Sequence, residues 1–372
     1  MTEQNVRDRL TPVLDRLPVD IERALEVVAR RATRRTRMAR AATIAVAAVV
    51  AAVGVVAIWR LSGLRDDAPR PGSVGARGKI SYIRVAVEGE QQTVEGFVAA
   101  PDGSGRIPLI TDSEWELFPA WSPDGRRVAY AGGPSDDVER TNLYLAAPDG
   151  TAGRKLVDGG VTGPMAWSPD GTHIAFIRRD PFPGEDALWI VQSDGTGARR
   201  VLDGRWNNVA WSPKGNRLAL GGDPGGGDVA DAEGIYVVGA DGQGLRRVTP
   251  AEDGFGFFPT WSPDGSRIAF VRNQDYDDID PKSDIYVVDI DGGAAERLTQ
   301  WEGLDTIPVW SPDGGELLFT SDRGVSDAER RQNMEAGELS GSSIYALDLE
   351  TGVTRLVIDG GDAAVFVTSW VD

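Results

Sequence analysis

The segment FPTWSPDGSRIAFVRN, Phe258 to Asn273, holds an apolar stretch ending at Trp261, a tight turn, and a second apolar stretch, Arg267-Ile268-Ala269-Phe270. Its Trp-Ser-Pro-Asp/Lys tetrad recurs at Trp121, Trp167, Trp211, Trp261 and Trp310, at spacings of 46, 44, 50 and 49 residues. A period in this range marks a repeat architecture, in which each unit is one supersecondary block and stacked neighbours bury a common core.

Each unit parses into four strands. In the unit that opens at Phe258 they are predicted at Phe258–Trp261, Arg267–Val271, Asp284–Ile290 and Glu296–Thr299, each apolar or alternating and bounded by turn residues. In Ser-Pro-Asp-Gly, Pro presets φ at the first turn position, Asp suits the second, and Gly takes the left-handed conformation that closes a hairpin with a bulge. Lys214 replaces Asp in the third copy, where no positive φ is demanded. The second hairpin turn is Asp-Gly at Asp102, Asp149, Asp194, Asp241 and Asp291, and Glu350-Thr351-Gly352 in the last unit.

The two ends complete each other. Residues 78–111 hold the later strands of a unit without a Trp-Ser-Pro strand before them, and the chain closes on Phe366-Val-Thr-Ser-Trp370-Val-Asp372, which matches the missing first strand. Five whole units and one shared unit make six. Closure by a terminal strand leaves no free edge between the first and last blades. The expected fold is therefore all-β, a six-bladed β-propeller of four-stranded blades over residues 78–372.

On these motifs, residues 78–372 resemble the WD40-like repeats of TolB-type six-bladed β-propellers: Trp-Ser-Pro-Asp-Gly, a strand, then a pattern such as Ile285-Tyr-Val-Val-Asp289 with Asp-Gly and Arg-Leu-Thr after it. The resemblance implies a six-bladed β-propeller fold. It departs from TolB in that no TolB-like α/β domain stands before the propeller, so a role in the Tol system is not implied.

Composition narrows the function. The formal charge is -18, yet residues 1–60 carry 11 Arg against 6 acidic residues, leaving 28 basic and 51 acidic residues for the rest. That balance argues against nucleic acid as a partner, because phosphate binding needs a basic footprint. With no Cys there is no disulfide framework, thiolate metal site or Cys nucleophile. The preference for Arg over Lys, with only Lys79, Lys155, Lys214 and Lys282, and the Ala and Gly richness suit a high-GC bacterial genome.

Ala41 to Trp59 is 19 residues without a charge. At about 1.5 Å per helical residue it matches the roughly 30 Å hydrocarbon core of a bilayer. Arg30, Arg31, Arg34, Arg35, Arg37 and Arg40 precede it, so the positive-inside rule puts the N-terminus in the cytoplasm and the propeller outside the plasma membrane. A cleaved signal peptide fits less well, since its apolar core is shorter and small residues mark its cleavage site, where here Trp59-Arg60-Leu61 follows. The expected organisation is a cytoplasmic helical segment at 1–40, a transmembrane helix at 41–59, a tether at 60–77 and the propeller. Residues 1–38 show apolar residues at helical spacing around Pro18 and are a candidate docking segment for a cytoplasmic protein. Leu17-Pro-Val-Asp-Ile-Glu-Arg-Ala-Leu25 is similar to the leader of actinobacterial membrane-bound anti-sigma factors, without the His and Cys of their zinc-binding form, which implies a signalling regulator as an alternative function.

Catalysis finds little support. His173 is the only histidine and lies on the polar side of a strand, and no Gly-x-Ser-x-Gly elbow occurs. A cell-surface hydrolase built on a carboxylate pair stays open, since acids are plentiful. No cofactor is called for. Asp275, Asp277, Asp278 and Asp280 crowd like a calcium loop, but Pro281 stands where Gly is needed and Tyr286 where a bidentate Glu is needed.

Strand alternation sorts the connections. Ser-Pro-Asp-Gly and Asp-Gly turns emerge on one face. Links between second and third strands, and between blades, emerge on the other. All long insertions fall on the second face: Gly132–Arg140, Asp180–Asp186, Gly221–Glu233, Asn273–Ser283 and Ser321–Ser342. Ser326-Asp-Ala-Glu329 in the last is a capping box that predicts a short helix to about Glu335. Trp115, Glu116, Trp206, Phe255, Phe257, Trp301 and Asp305 sit on the same face and are the candidate ligand-binding residues. Variable loops on a rigid scaffold are where function concentrates. The sequence thus points to a single-pass membrane protein whose propeller binds a protein, peptide or envelope glycan.

Overall fold

The computed structural model describes residues 78–371, apart from 89–90, 109–115, 134–140, 148–152, 180–185, 226–232, 251–255, 274–281, 327 and 331–340. The expected cytoplasmic segment, transmembrane helix and tether lie outside the described residues. Among the described residues no helix is long and apolar enough to cross a membrane.

The strands form six antiparallel sheets of four. Blade 1 contains β1 (Lys79–Glu88), β2 (Gln91–Ala99) and β3 (Ile107–Pro108); blade 2 is β4 (Glu116–Trp121), β5 (Val128–Gly132), β6 (Asn142–Ala146) and β7 (Arg154–Val157). Blade 3 is β8 (Val161–Trp167), β9 (His173–Arg178), β10 (Ala187–Gln192) and β11 (Arg199–Asp203); blade 4 is β12 (Arg205–Trp211), β13 (Arg217–Asp223), β14 (Gly234–Gly239) and β15 (Arg246–Arg247). Blade 5 is β16 (Gly256–Trp261), β17 (Arg267–Asn273), β18 (Ser283–Asp289) and β19 (Glu296–Arg297); blade 6 is β20 (Asp305–Trp310), β21 (Glu316–Ser321), β22 (Ser343–Asp348) and β23 (Thr354–Ile358). The last strand, β24 (Ala364–Val371), pairs with β1 as the inner strand of blade 1, with Ile83 opposite Phe366. The shared sixth blade is thus present.

The core lies between blades. Successive side chains of a strand point to opposite faces, and here both faces are apolar. In β13, Leu218 and Leu220 pack with Ile177 and Leu188 of blade 3, while Ala219 packs with Trp261 and Ile268 of blade 5. In β17, Ile268 and Phe270 face blade 4 and Ala269 faces blade 6. The large-small-large pattern of Ile268-Ala269-Phe270 is therefore a two-sided packing code.

The repeated tetrad joins blade to blade. Trp167 Nε1 donates to Ala120 O at 3.0 Å, Trp261 Nε1 to Ala210 O at 3.2 Å, and Trp310 Nε1 to Thr260 O at 3.3 Å. Arg127 of blade 2 covers the Trp167 ring at 4.9 Å, and Arg267 of blade 5 covers Trp310 at 5.2 Å. His173 occupies the equivalent place in blade 3, with its ring 6.3 Å from that of Trp211, and its Nδ1 is 2.7 Å from Thr172 Oγ1. This corrects the expectation of a simply solvent-facing residue: His173 is half-buried at a blade junction.

One feature of the inner strands went unexpected. Phe118, Phe258 and Ile307 have φ of 54°, 49° and 51°, and Gly163 has 71°; each precedes a proline. The ladders to the second strands skip register at these points. Proline disfavours a right-handed helical residue before it, and its missing N–H suits a position without a ladder partner. Positive φ at β-branched Ile307 costs on the order of 1–3 kcal/mol, so the neighbouring structure must hold it. At the equivalent Phe258, Asn208 of blade 4 does so by accepting the Phe258 N–H at 2.9 Å.

Candidate functional site

Asp305, the first residue of β20, is fully buried. It accepts from Ser321 Oγ and Arg323, both at 2.6 Å. Burial pushes its carboxyl above the usual range, and the Ser321 bond and Arg323 charge pull it back. Asp284, at the head of β18, is equally buried and accepts from Arg297 at 2.6 Å and from the Trp301 N–H at 3.0 Å.

Trp301 is half-buried at the centre of this network. Its Nε1 donates to Asp322 Oδ1 at 2.7 Å, and the guanidinium groups of Arg323 and Arg330 stand 5.1 and 5.9 Å from its ring. Arg330 also pairs with Asp322 at 2.9 Å and donates to Glu302 O at 3.0 Å. Arg323 therefore links two sequence-selected residues, Trp301 through its ring and Asp305 through its carboxylate. Arg330 is positioned by the expected capping box: Ser326 N donates to Glu329 Oε2 at 3.0 Å, and a helical turn begins. The rest of that predicted helix lies outside the described residues.

The other selected residues divide. Trp206 and Phe257 are each 2% exposed, so both are core residues as placed and offer little contact area from the surface. Trp206 lies edge-on to Tyr236 with centroids 5.6 Å apart, and a Cβ at Gly204 would meet its ring at 2.6 Å. Trp206 is buried because the inner strand β12 turns it between blades 3 and 4. Glu116 opens β4 in register with Gly132. Trp115, Phe255 and the group Asp275, Asp277, Asp278 and Asp280 lie outside the described residues. Among the described residues no cluster of three or more His, Asp or Glu side chains could hold a metal ion.

A second group was not singled out from sequence. Asp223 ends β13, is buried, and pairs with Arg205 at the start of β12. Glu233, just before β14, has its Oε2 buried with no hydrogen-bond partner among the described residues. Burial drives the Glu233 carboxyl up to about 7, the Asp223 charge adds to the shift, and Arg205 opposes it. A carboxyl poised there can hold or release a proton near neutral pH. The available signal was a Gly-rich insertion bracketed by two acids, but only the pairing of β12 with β13 inside blade 4 sets Arg205 beside Asp223. The single histidine lies on the opposite face, so it takes no part here.

The sequence pattern of the TolB β-propeller domain, PD40, matches residues 73–275 and 251–345. Among curated proteins, the Tol-Pal system protein TolB of Alcanivorax borkumensis is 34% identical over 84 residues, 22% of this chain and 19% of that protein. A lasso peptide isopeptidase of Asticcacaulis excentricus is 30% identical over 181 residues, 41% of this chain and 25% of that protein. The chain thus spans a quarter or less of the length of these relatives. Among solved structures, TolB from Acinetobacter baumannii superposes with a TM-score of 0.62 at 20% identity, over 79% of this chain and 66% of that one, a likeness of fold. With its repeats, its six closed blades and a match across most of the ring, the chain belongs to the TolB β-propeller domain family.

Proposed function

We propose that this chain is a single-pass membrane protein, N-terminus in the cytoplasm, whose extracytoplasmic propeller is a non-catalytic binding or scaffold module for a protein, peptide or envelope ligand. The carrying observation is the asymmetry of the two faces. One has short, near-identical turns. The other bears all five insertions, with 19 acidic against 5 basic residues, around the Trp301 network. An acidic face with a half-buried aromatic favours a neutral or cationic partner, and the association of a cationic one slows as salt is added. Residues 41–59 supply the span and the Arg cluster before it the orientation.

The test is photo-crosslinking in cells, with a light-activated amino acid at Glu302 or Asp362 on the loop face and at Lys214 or Thr351 on the turn face. Discrete protein or glycan adducts from the loop-face positions alone are expected. Equal adducts from both faces would overturn the assignment.

A cell-surface hydrolase is the second reading, favoured by Glu233 beside Asp223 and by the match to a peptide-cleaving relative. It requires turnover of a peptide or glycan substrate that Glu233→Gln abolishes while binding persists.

A further inference from the structure

The junctions between blades are not equally held. Three devices recur. In the first, the indole of a tetrad Trp donates across the junction, as Trp167, Trp261 and Trp310 do to Ala120, Ala210 and Thr260. In the second, an Arg at the start of an outer strand clasps the next blade. Arg154 donates to Ser193 O and Asp194 O, both at 2.9 Å, Arg199 to Ala240 O at 2.8 Å, and Arg246 to Ile290 O. In the third, buried apolar residues fill the gap: ten between blades 3 and 4, eight between 4 and 5, seven between 5 and 6 and ten between 6 and 1.

Among the described residues, the junction of blades 1 and 2 is poor in all three. Trp121 is 3% exposed, and its Nε1 is buried with no hydrogen-bond partner. The outer-strand position that Arg154 fills opposite Leu145 is filled in blade 1 by Ile107, opposite Val98, and its apolar side chain cannot clasp. The apolar filling is Val98, Trp121 and Val128, with Val371 at its margin. Other junctions lose one device and keep another. Trp211 turns its Nε1 back to Gly215 O of its own blade, but Arg199 and ten buried residues join blades 3 and 4. Arg355 pairs with Glu316 of its own blade, but ten buried residues join blades 6 and 1.

The bonds that do cross between blades 1 and 2 are long. Ser81 Oγ donates to Pro119 O at 3.2 Å and the Trp121 N–H to Ser369 Oγ at 3.4 Å, both beyond the ordinary range. The single hydroxyl hydrogen of Ser81 is also contested by Thr368 Oγ1 and Ser369 Oγ of its own blade, at 2.7 and 2.6 Å. A buried N–H without a partner has given up its hydration for nothing, and opening returns the Trp121 indole to water. Opening there breaks no sheet, because each sheet lies within one blade.

We infer that the ring has one built-in seam, between blades 1 and 2, and that it parts there before any blade unfolds. The closing strand β24 is not that weak point, since it is laddered to β1 and packed against blade 6. The seam lets the ring change its opening while all six sheets stay intact. A partner that grips blades 1 and 2 together binds the closed ring alone and draws the seam shut.

The chain has no Cys, so single thiols can report opening site by site. Val128, Leu218, Ile268 and Leu317 lie opposite the tetrad Trp of blades 2, 4, 5 and 6, are at most 1% exposed, and face the preceding blade. Each is replaced singly by Cys in the full chain, as is Val98 on the blade 1 wall of the seam. Alkylation by iodoacetamide under native conditions is followed by mass spectrometry. Leu→Cys and Ile→Cys remove more apolar volume than Val→Cys, so any destabilisation speeds labelling at the control junctions. Val98→Cys and Val128→Cys are expected to label about ten-fold faster than the other three or more, as a local opening of lower free energy requires. Their rates should also change little in dilute urea, since parting one junction exposes little surface. Similar rates at all five positions overturn the seam. So do rates at 98 and 128 that climb with urea as steeply as global unfolding. Fast labelling on one wall alone marks a local defect and overturns it as well.

Discussion

At the scale of residues, the turn bracket explains why Ser and Asp recur. Ser262 Oγ donates to Asp264 Oδ1 at 2.6 Å and accepts the Arg267 N–H at 2.9 Å, while Asp264 accepts the Ser266 N–H at 3.0 Å. In the third copy Ser212 Oγ still accepts the Arg217 N–H, at 3.2 Å, but Lys214 supplies no carboxylate. Lys214→Asp is expected to stabilise the chain by about 0.5–1 kcal/mol, the net worth of one exposed hydrogen bond, read as a raised urea midpoint with unchanged slope. Glu233 predicts a pH effect of definite sign. Its folded pKa, about 7, lies above the ordinary 4.5, so the folded state binds the proton more tightly. The stability it contributes is complete below about 4.5 and is lost as pH rises toward 7. Glu233→Gln should remove that loss, and melting temperatures at pH 5 and pH 8 should converge in the variant. A difference as large as in the parent chain would show that another group titrates.

At the scale of elements, the link between blades 5 and 6 on the loop face depends on Trp301. Removing its ring takes a hydrogen bond from Asp322 and an aromatic face from Arg323 and Arg330. Trp301→Ala is expected to cost about 2–3 kcal/mol, less than a fully buried Trp because the ring is half-exposed. Trp301→Phe keeps the face and loses only the N–H, so it should cost about 1 kcal/mol. Thermal melts of both variants check this ordering. Weakened crosslinking in Trp301→Phe with little change in melting would identify the indole as a ligand contact as well as a structural wedge.

At the scale of the whole molecule, closure is carried by β24. Val365 and Val367 are buried against blade 6, and Phe366 is buried against Ile83. At roughly 1.5–3 kcal/mol for each buried side chain, these three alone supply about 5–9 kcal/mol. A whole domain is stable by only about 5–15 kcal/mol. Deleting residues 365–372 should therefore abolish the single cooperative unfolding transition. An unchanged transition would mean that the ring closes without its last strand.

Repeats, turns and the shared blade were legible because each rests on local chemistry: a tight turn needs Pro and Gly at fixed offsets, and a strand needs alternation. Phe258-Pro259 and Ile307-Pro308 also carried a trace of the inner-strand bulges, but the skipped register appears only when second strands pair against them. Placement relative to the faces followed from counting strand reversals, and it put Trp301 and Asp305 on the loop face. Their burial did not follow. Trp206 and Asp305 resemble surface recognition residues in a linear reading, yet inner strands turn one between blades and lay the other under Arg323. The sequence by itself determined the number of blades, their strand order and the side on which insertions emerge, since these depend on contacts within one hairpin or its neighbour. Only the folded ring shows which charges pair, that His173 meets Trp211, and that the Glu233 carboxyl is raised to about 7, because these depend on strands laid side by side within a blade, on the junction of blades 3 and 4, and on the water that burial excludes.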